Sequence, residues 1–275
     1  MRFTLKPILS LFFVSLLLAG CKDNLQPAPG VDQSDPPVVK KISFDLEQKI
    51  ESEFIPLHGF DRTDRLSKRE VTPDPYNVEQ NVEVSVYGGG NYVMDIRTLW
   101  NAETTIPRDI PDVRNIGLTR VTPTETILYD ESGNIIERMN TQGLTLEEES
   151  GGVGALSKTQ KPFMMPFAAP TKEHIPSSAY KREVGKLTAY SYQQTDNETG
   201  DLLNVQTFFD NEKNEIIRET AEIKGKLFTD VSYTYRMHDG EKVIASQKSI
   251  TKLVQNGGTS VISGEARYKN LRISK

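Results

Sequence analysis

Residues 226–237 read KLFTDVSYTYRM, residues 238–240 read HDG, and residues 242–254 read KVIASQKSITKLV. In the first run Tyr233, Tyr235 and Met237 alternate with Ser232, Thr234 and Arg236. A period of two sends successive side chains to opposite faces of an extended chain. The spacing therefore predicts a strand with one buried face and one wet face. His238-Asp239-Gly240 carries turn chemistry, and the following run returns as a second strand.

The same grammar extends in both directions. Leu187 to Gln194, Leu202 to Phe209 and Glu215 to Ile223 read as strands before this pair, and Thr259 to Ile273 reads as one after it. The breaks are Asp196 to Gly200, Asp210 to Asn214, Lys224-Gly225 and Gln255 to Gly258. Short connections between successive strands imply an antiparallel meander over 181–275.

Upstream, residues 147–180 are irregular. They contain Gly151-Gly152-Val153-Gly154, then Pro162, Pro166, Pro170 and Pro176, with the apolar cluster Phe163, Met164, Met165 and Phe167 between them. A structureless stretch of this length is a linker or a functional loop. One reading of the cluster is a loop plugged into the sheet edge. The other is an adaptable apolar patch that covers a hydrophobic ligand, touches lipid or receives a partner.

The segment 39–146 mixes signals. Val82, Val84 and Val86 alternate with polar residues, Gly88 to Asn91 makes a turn, and Tyr92 to Leu99 runs back. A second hairpin joins Thr126 to Tyr129 and Ile135 to Met139 through Asp130 to Asn134. Before them, Leu46, Ile50 and Phe54 lie four apart, with Ser43 as an N-cap and Pro56 as a stop, which predicts a short helix. Asp61 to Glu70 reads as a polar loop.

Two of the turns echo one another. Tyr129-Asp130 with Asn134, Ile136 and Arg138 matches Phe209-Asp210 with Asn214, Ile216 and Arg218 at the same spacing. The pattern resembles the tyrosine-aspartate turn of the YD-type repeats of secreted β proteins. Two copies do not make an array, and reused hairpin chemistry explains them.

The first twenty residues have a separate logic. Arg2 and Lys6 supply positive charge, Ile8 to Leu18 is apolar apart from Ser10 and Ser15, and Ala19 and Gly20 are small. Such a core is too short for a bilayer span, which needs roughly 20 apolar residues. It fits a cleaved signal peptide. Leu18-Ala19-Gly20-Cys21 resembles the lipobox of bacterial lipoproteins. That resemblance implies cleavage before Cys21 and a covalent lipid on its thiol, so the bilayer is the first expected partner.

Cysteine use agrees, because Cys21 is the chain's one cysteine and no internal disulfide is possible. Several acyl tails on one residue exceed the marginal binding of a single chain. Lys22 follows; in the enterobacterial sorting rule Asp there retains a lipoprotein at the inner membrane, so Lys22 points to the outer membrane of a Gram-negative-type cell. Residues 21–38, with Pro27, Pro29, Gly30, Pro36 and Pro37, form a tether that cannot bury a core. Loss of the leader's two bases takes the formal charge from −5 to −7. An acidic surface argues against nucleic acid as a partner.

No catalytic or metal signature is present. His58, His174 and His238 fall in separate loops without ligand spacing, and there is no Gly-x-Ser-x-Gly elbow. Asp196 to Asp201 and Asp210 to Glu212 offer oxygens to calcium, but neither follows EF-hand spacing and Asx turns explain both. The expectation is thus a mainly β protein: an antiparallel meander forming a curved sheet, half-barrel or sandwich, with one short N-terminal helix. A strongly curved meander crossed by an apolar loop is similar to the half-barrels of lipoprotein-carrier-type proteins.

Three functions follow. The first is a non-enzymatic binding or structural lipoprotein that meets an envelope protein or glycan. The second is a carrier holding a lipid or other apolar ligand between sheet and loop. The third is a hydrolase with a scattered acidic site. No cofactor is expected beyond the lipid on Cys21.

Overall fold

The first strand lies near the centre of the sheet, between the second strand and the last. In the computed structural model β1 (Val38–Pro56) runs without a break, with Ile42, Phe44, Leu46, Gln48 and Ile50 buried and the intervening residues turned outward. The short helix expected from Leu46, Ile50 and Phe54 is therefore a strand. Positions four apart share a face in a helix, but four is also a multiple of two, so they share a face in a strand as well. Ile42 and Phe44 continue the period of two, and pairing on both sides decides the outcome.

The structure describes residues 38–56, 76–88, 91–101, 104–105, 115–140, 165–167, 169–195, 200–255 and 258–274. The leader, Cys21, the tether, Phe163 and Met164 lie outside the described residues. Among the described residues no helix is long and apolar enough to cross a membrane.

After β1 come β2 (Tyr76–Tyr87), β3 (Tyr92–Leu99), β4 (Leu118–Val121), β5 (Glu125–Tyr129) and β6 (Ile135–Asn140). The second series is β7 (Tyr180–Val184), β8 (Leu187–Thr195), β9 (Leu202–Asp210), β10 (Glu215–Ile223), β11 (Leu227–His238), β12 (Glu241–Gln255) and β13 (Gly258–Ser274). They form one sheet of 13 strands in the order β6-β5-β4-β3-β2-β1-β13-β12-β11-β10-β9-β8-β7. Neighbours in this order are antiparallel. Two meanders thus grow outward from the centre, where the first and last strands pair from Lys41↔Ser274 to Pro56↔Gly258.

Turn chemistry sets the short connections. Asp239 and Gly240 have φ of 50° and 81° between β11 and β12, the two-residue loop whose twist matches the flanking strands. Asp130 Oδ1 accepts the backbone N–H groups of Ser132 and Asn134 at 2.9 and 2.8 Å. Asp210 Oδ1 accepts those of Glu212 and Lys213 at 3.0 and 3.1 Å. The echoed turns are Asx turns with slightly different bonding, each opening a hairpin.

The sheet is open and curved. One face carries a continuous apolar core drawn from both meanders, including Phe44, Val84, Tyr92, Met94, Val121, Tyr190, Phe209, Val231, Ile244 and Tyr268. Phe44 and Tyr268 meet edge to face with centroids 5.8 Å apart. A sheet this wide buries one whole face only by bending around it. The outer face carries cross-strand charge pairs, such as the two-pronged contacts of Arg120 with Asp95 and Arg218 with Asp230. Such exposed pairs each contribute little.

Candidate functional site

The inner face is crossed by a strap, described over residues 165–167 and 169–179, that is the last part of the irregular stretch. Met165, Phe167, Ala169, Ile175 and Ala179 pack half-buried on the core, and Pro166 and Pro170 are buried. Proline suits this path because it has no N–H to leave unpaired against an apolar surface. The remaining backbone bonds locally: His174 N–H to Thr171 O, Ile175 N–H to Lys172 O and Ala179 N–H to Pro176 O, at 3.0–3.1 Å. Lys172 Nζ lies 5.1 Å from the centroid of the Phe209 ring.

The strap is seated where the sheet parts. β12 pairs with β13 from Gln255↔Gly258 back to Ser246↔Arg267 and no further. Beyond that point β13 continues on β1 alone, up to Lys41↔Ser274. β12 continues on β11 alone, after a bulge at Ala245. In the gap, Ile244 donates its backbone N–H to Pro166 O at 2.8 Å. Lys40 and Glu241 reach across the gap at 3.5 Å.

A polar belt runs across β9 to β13. Register places Thr207 opposite Glu219, and Tyr233 opposite Gln247. Glu219 is buried; Tyr233 donates its hydroxyl to Glu219 Oε2 at 2.9 Å, and the Thr207 hydroxyl donates to Oε1 at 3.4 Å. Burial pushes the Glu219 carboxyl up to about 7, against which the two hydrogen bonds act. Gln247 Nε2 donates to the Tyr268 hydroxyl at 2.6 Å, and the Tyr235 hydroxyl donates to Ile216 O. Burial raises the Tyr233, Tyr235 and Tyr268 hydroxyls, so they remain neutral. Beyond the belt a smaller apolar cluster follows, made of Leu203, Val205 and Ala221. In the other meander the buried Thr126 Oγ1 has no hydrogen-bond partner.

The sequence-level residues distribute as follows. Met165 and Phe167 are in the strap and touch the core. His174 lies in the strap's 3-10 turn, Lys172–His174, with Nδ1 3.1 Å from Thr171 N, and His238 ends β11. Among the described residues there is no group of three or more His, Cys, Asp or Glu able to hold a metal ion. The polar belt is missing from the sequence reading. Its signal was present in residues 219, 221 and 223, where an acid shares a strand face with Ala221 and Ile223.

A polar cleft of about 230 Å³ opens between β1, β2 and β13, lined among others by Glu47, Lys49, Asn77, Glu79, Glu265 and Arg267. Several of its charges pair with one another or with neighbours: Lys49 with Glu51 at 2.6 Å, Arg267 with Glu265 at 3.0 Å, and Glu47 with Lys269. That is a solvated charged face.

No protein-family model matches this chain, and no curated protein matches it. Among solved structures it is similar to a domain from Vibrio parahaemolyticus assigned to outer membrane lipoprotein sorting, with 9% identity over 88% of each chain and a TM-score of 0.42. It is similar to a LolA superfamily protein from Nitrosomonas europaea, with 12% identity, coverage of 85% and 86%, and a TM-score of 0.37. It also matches lipovitellin at 14% identity and a TM-score of 0.33, over 86% of this chain and 26% of that one. Likenesses this distant carry no functional argument.

Proposed function

We propose that this chain is a non-enzymatic, lipid-anchored protein of the cell envelope that carries an acyl chain or similar apolar ligand between the inner face of its sheet and the strap. The observation that supports it is the strap's mode of attachment. It covers a continuous apolar face with half-buried Met165, Phe167 and Ile175, and it is joined to the sheet's backbone at the parted strands through Pro166 and Ile244. Such a cover can be lifted without breaking a strand pair. Met and Phe adapt to a guest of variable shape, and one concave apolar surface with a few polar groups is the common form of a small-ligand site.

Anchoring through Cys21 and outer-membrane residence belong to the same proposal and rest on the lipobox resemblance. Within this reading a protein or glycan partner would meet the outer face or the free edges, where Ile135, Ile136 and Tyr180 are exposed. Hydrolysis by paired acids is less well supported. Among the described residues the inner face presents Glu219 with tyrosine and threonine, whereas such chemistry needs two facing carboxyls.

All the described strands lie downstream of residue 38, so a chain starting at Lys22 keeps the whole sheet. Competition for an apolar fluorescent dye by fatty acids and alcohols of graded length tests the proposal. Length-dependent displacement is expected; absence of dye binding and of displacement would remove the carrier reading.

A further inference from the structure

Glu219 is an expensive residue where it stands. It shares a strand face with Ala221 and Ile223, lies between the main apolar core and the Leu203, Val205 and Ala221 cluster, and is buried. A buried carboxylate is stabilised by a cation or by several strong donors. Among the described residues the groups facing Glu219 are neutral. On β9 it meets Thr207, on β11 Tyr233 and Tyr235, and on β8 Tyr192, while Gln247 follows on β12. Glu215 on its own strand adds negative charge near Tyr235, and the strap's Lys172 stands over the Phe209 ring. None of these supplies Glu219 with a counter-charge.

We infer that Glu219, with Tyr233 and Thr207, forms an internal site for the amine head of a single-chain amphiphile, whose apolar tail lies on the core beside it. This deepens the carrier reading and rests on it. The choice of head follows from what is missing. A hydroxyl or amide head donates a hydrogen bond but leaves the carboxylate without a counter-charge. A carboxylate head repels it. A divalent cation needs more oxygens than one acid and two neutral hydroxyls supply. A primary ammonium both donates to the carboxylate and balances it. Tyr233 and Thr207 already occupy one position on each oxygen and hold the carboxyl group in a fixed orientation.

The test uses the chain starting at Lys22 and three probes with the same tail: dodecylamine, dodecan-1-ol and dodecanoate, each kept below its aggregation concentration. Displacement of a bound apolar dye is measured at pH 7 for the wild type and for Glu219→Gln, which retains the shape of the side chain and removes its charge, one acceptor oxygen becoming an amide donor. The amine should displace the dye at concentrations roughly tenfold below the alcohol in the wild type. In Glu219→Gln the two should coincide, with the alcohol unchanged. Equal amine and alcohol affinities in the wild type would overturn the inference and leave the carrier intact. So would an amine preference that survives Glu219→Gln, which would mark general attraction to an acidic surface. Failure of all three probes and of the dye removes carrier and amine site together.

A second measurement covers the case in which Glu219→Gln does not fold. Calorimetric titration of the wild type at pH 6.5, in two buffers of different ionisation enthalpy, should show proton release on amine binding and none on alcohol binding. Amine binding without proton release would overturn the inference.

Discussion

The carbonyl of Pro166 accepts the backbone N–H of Ile244 at 2.8 Å, in the gap where β12 has left β13. A strand donor that would otherwise face an absent neighbour is thereby satisfied by the strap, which joins the strap to the sheet's hydrogen bonding at this point. Its other described contacts are apolar packing and Lys172 over the Phe209 ring. Phe167→Asp should therefore loosen the strap while leaving the strands paired. The expected result is dye dissociation about tenfold faster, for the loss of one half-buried aromatic contact, with an unchanged far-ultraviolet spectrum. Stopped-flow displacement measures it, and an unchanged rate would mean the strap does not gate the inner face.

Phe44 is buried on β1 against Tyr268, at the pairing of the first and last strands. Phe44→Ala should cost about 3–5 kcal/mol, the usual range for emptying such a site. Urea unfolding gives the figure. A loss below about 1 kcal/mol would show that the central pair does not hold the two meanders together.

Much of this fold was legible in residues and some was not, for physical reasons. The β11–β12 hairpin was readable because Tyr233 and Tyr235 alternate with hydroxyl and basic residues and Asp239-Gly240 supports positive φ. The strand from Val38 to Pro56 was misread because Leu46, Ile50 and Phe54 satisfy two periods at once, and only pairing with β2 and β13 separates them. The pairing with β13 joins residues more than 200 positions apart, beyond the reach of local pattern. The strap was legible as an apolar, proline-spaced segment; its seat depends on where two strands diverge, which sequence does not encode locally. Glu219 was visible as an acid on an apolar face, but its partners come from three other strands.

The Glu219 carboxyl is raised by burial from 4.5 to about 7 in the folded protein. The folded state therefore holds this proton more tightly than the unfolded chain. The stabilising contribution is complete below about 4.5 and is lost as pH rises through about 7. Compared with Glu219→Gln, the wild type should lose on the order of 3 kcal/mol between pH 4.5 and pH 8. Urea unfolding of both proteins across this window checks it. A wild type that gains stability relative to Glu219→Gln would mean the carboxylate is compensated by a cation.

For the anchor, Cys21→Ser should leave the leader attached and the chain without lipid, since the thiol is the atom to be acylated. Intact-mass measurement distinguishes precursor from processed lipidated protein. Normal processing and a normal acyl mass in the Cys21→Ser variant would contradict the lipobox reading.

The carrier claim itself is tested most directly by what travels with the protein. The chain starting at Lys22 is exported with a cleavable leader, purified without detergent, extracted with organic solvent, and its extract analysed by mass spectrometry beside that of Phe167→Asp. The account predicts an apolar ligand near one per protein in the wild type and markedly less in the variant. A wild-type extract free of ligand, from protein that also fails to bind the dye, would contradict it.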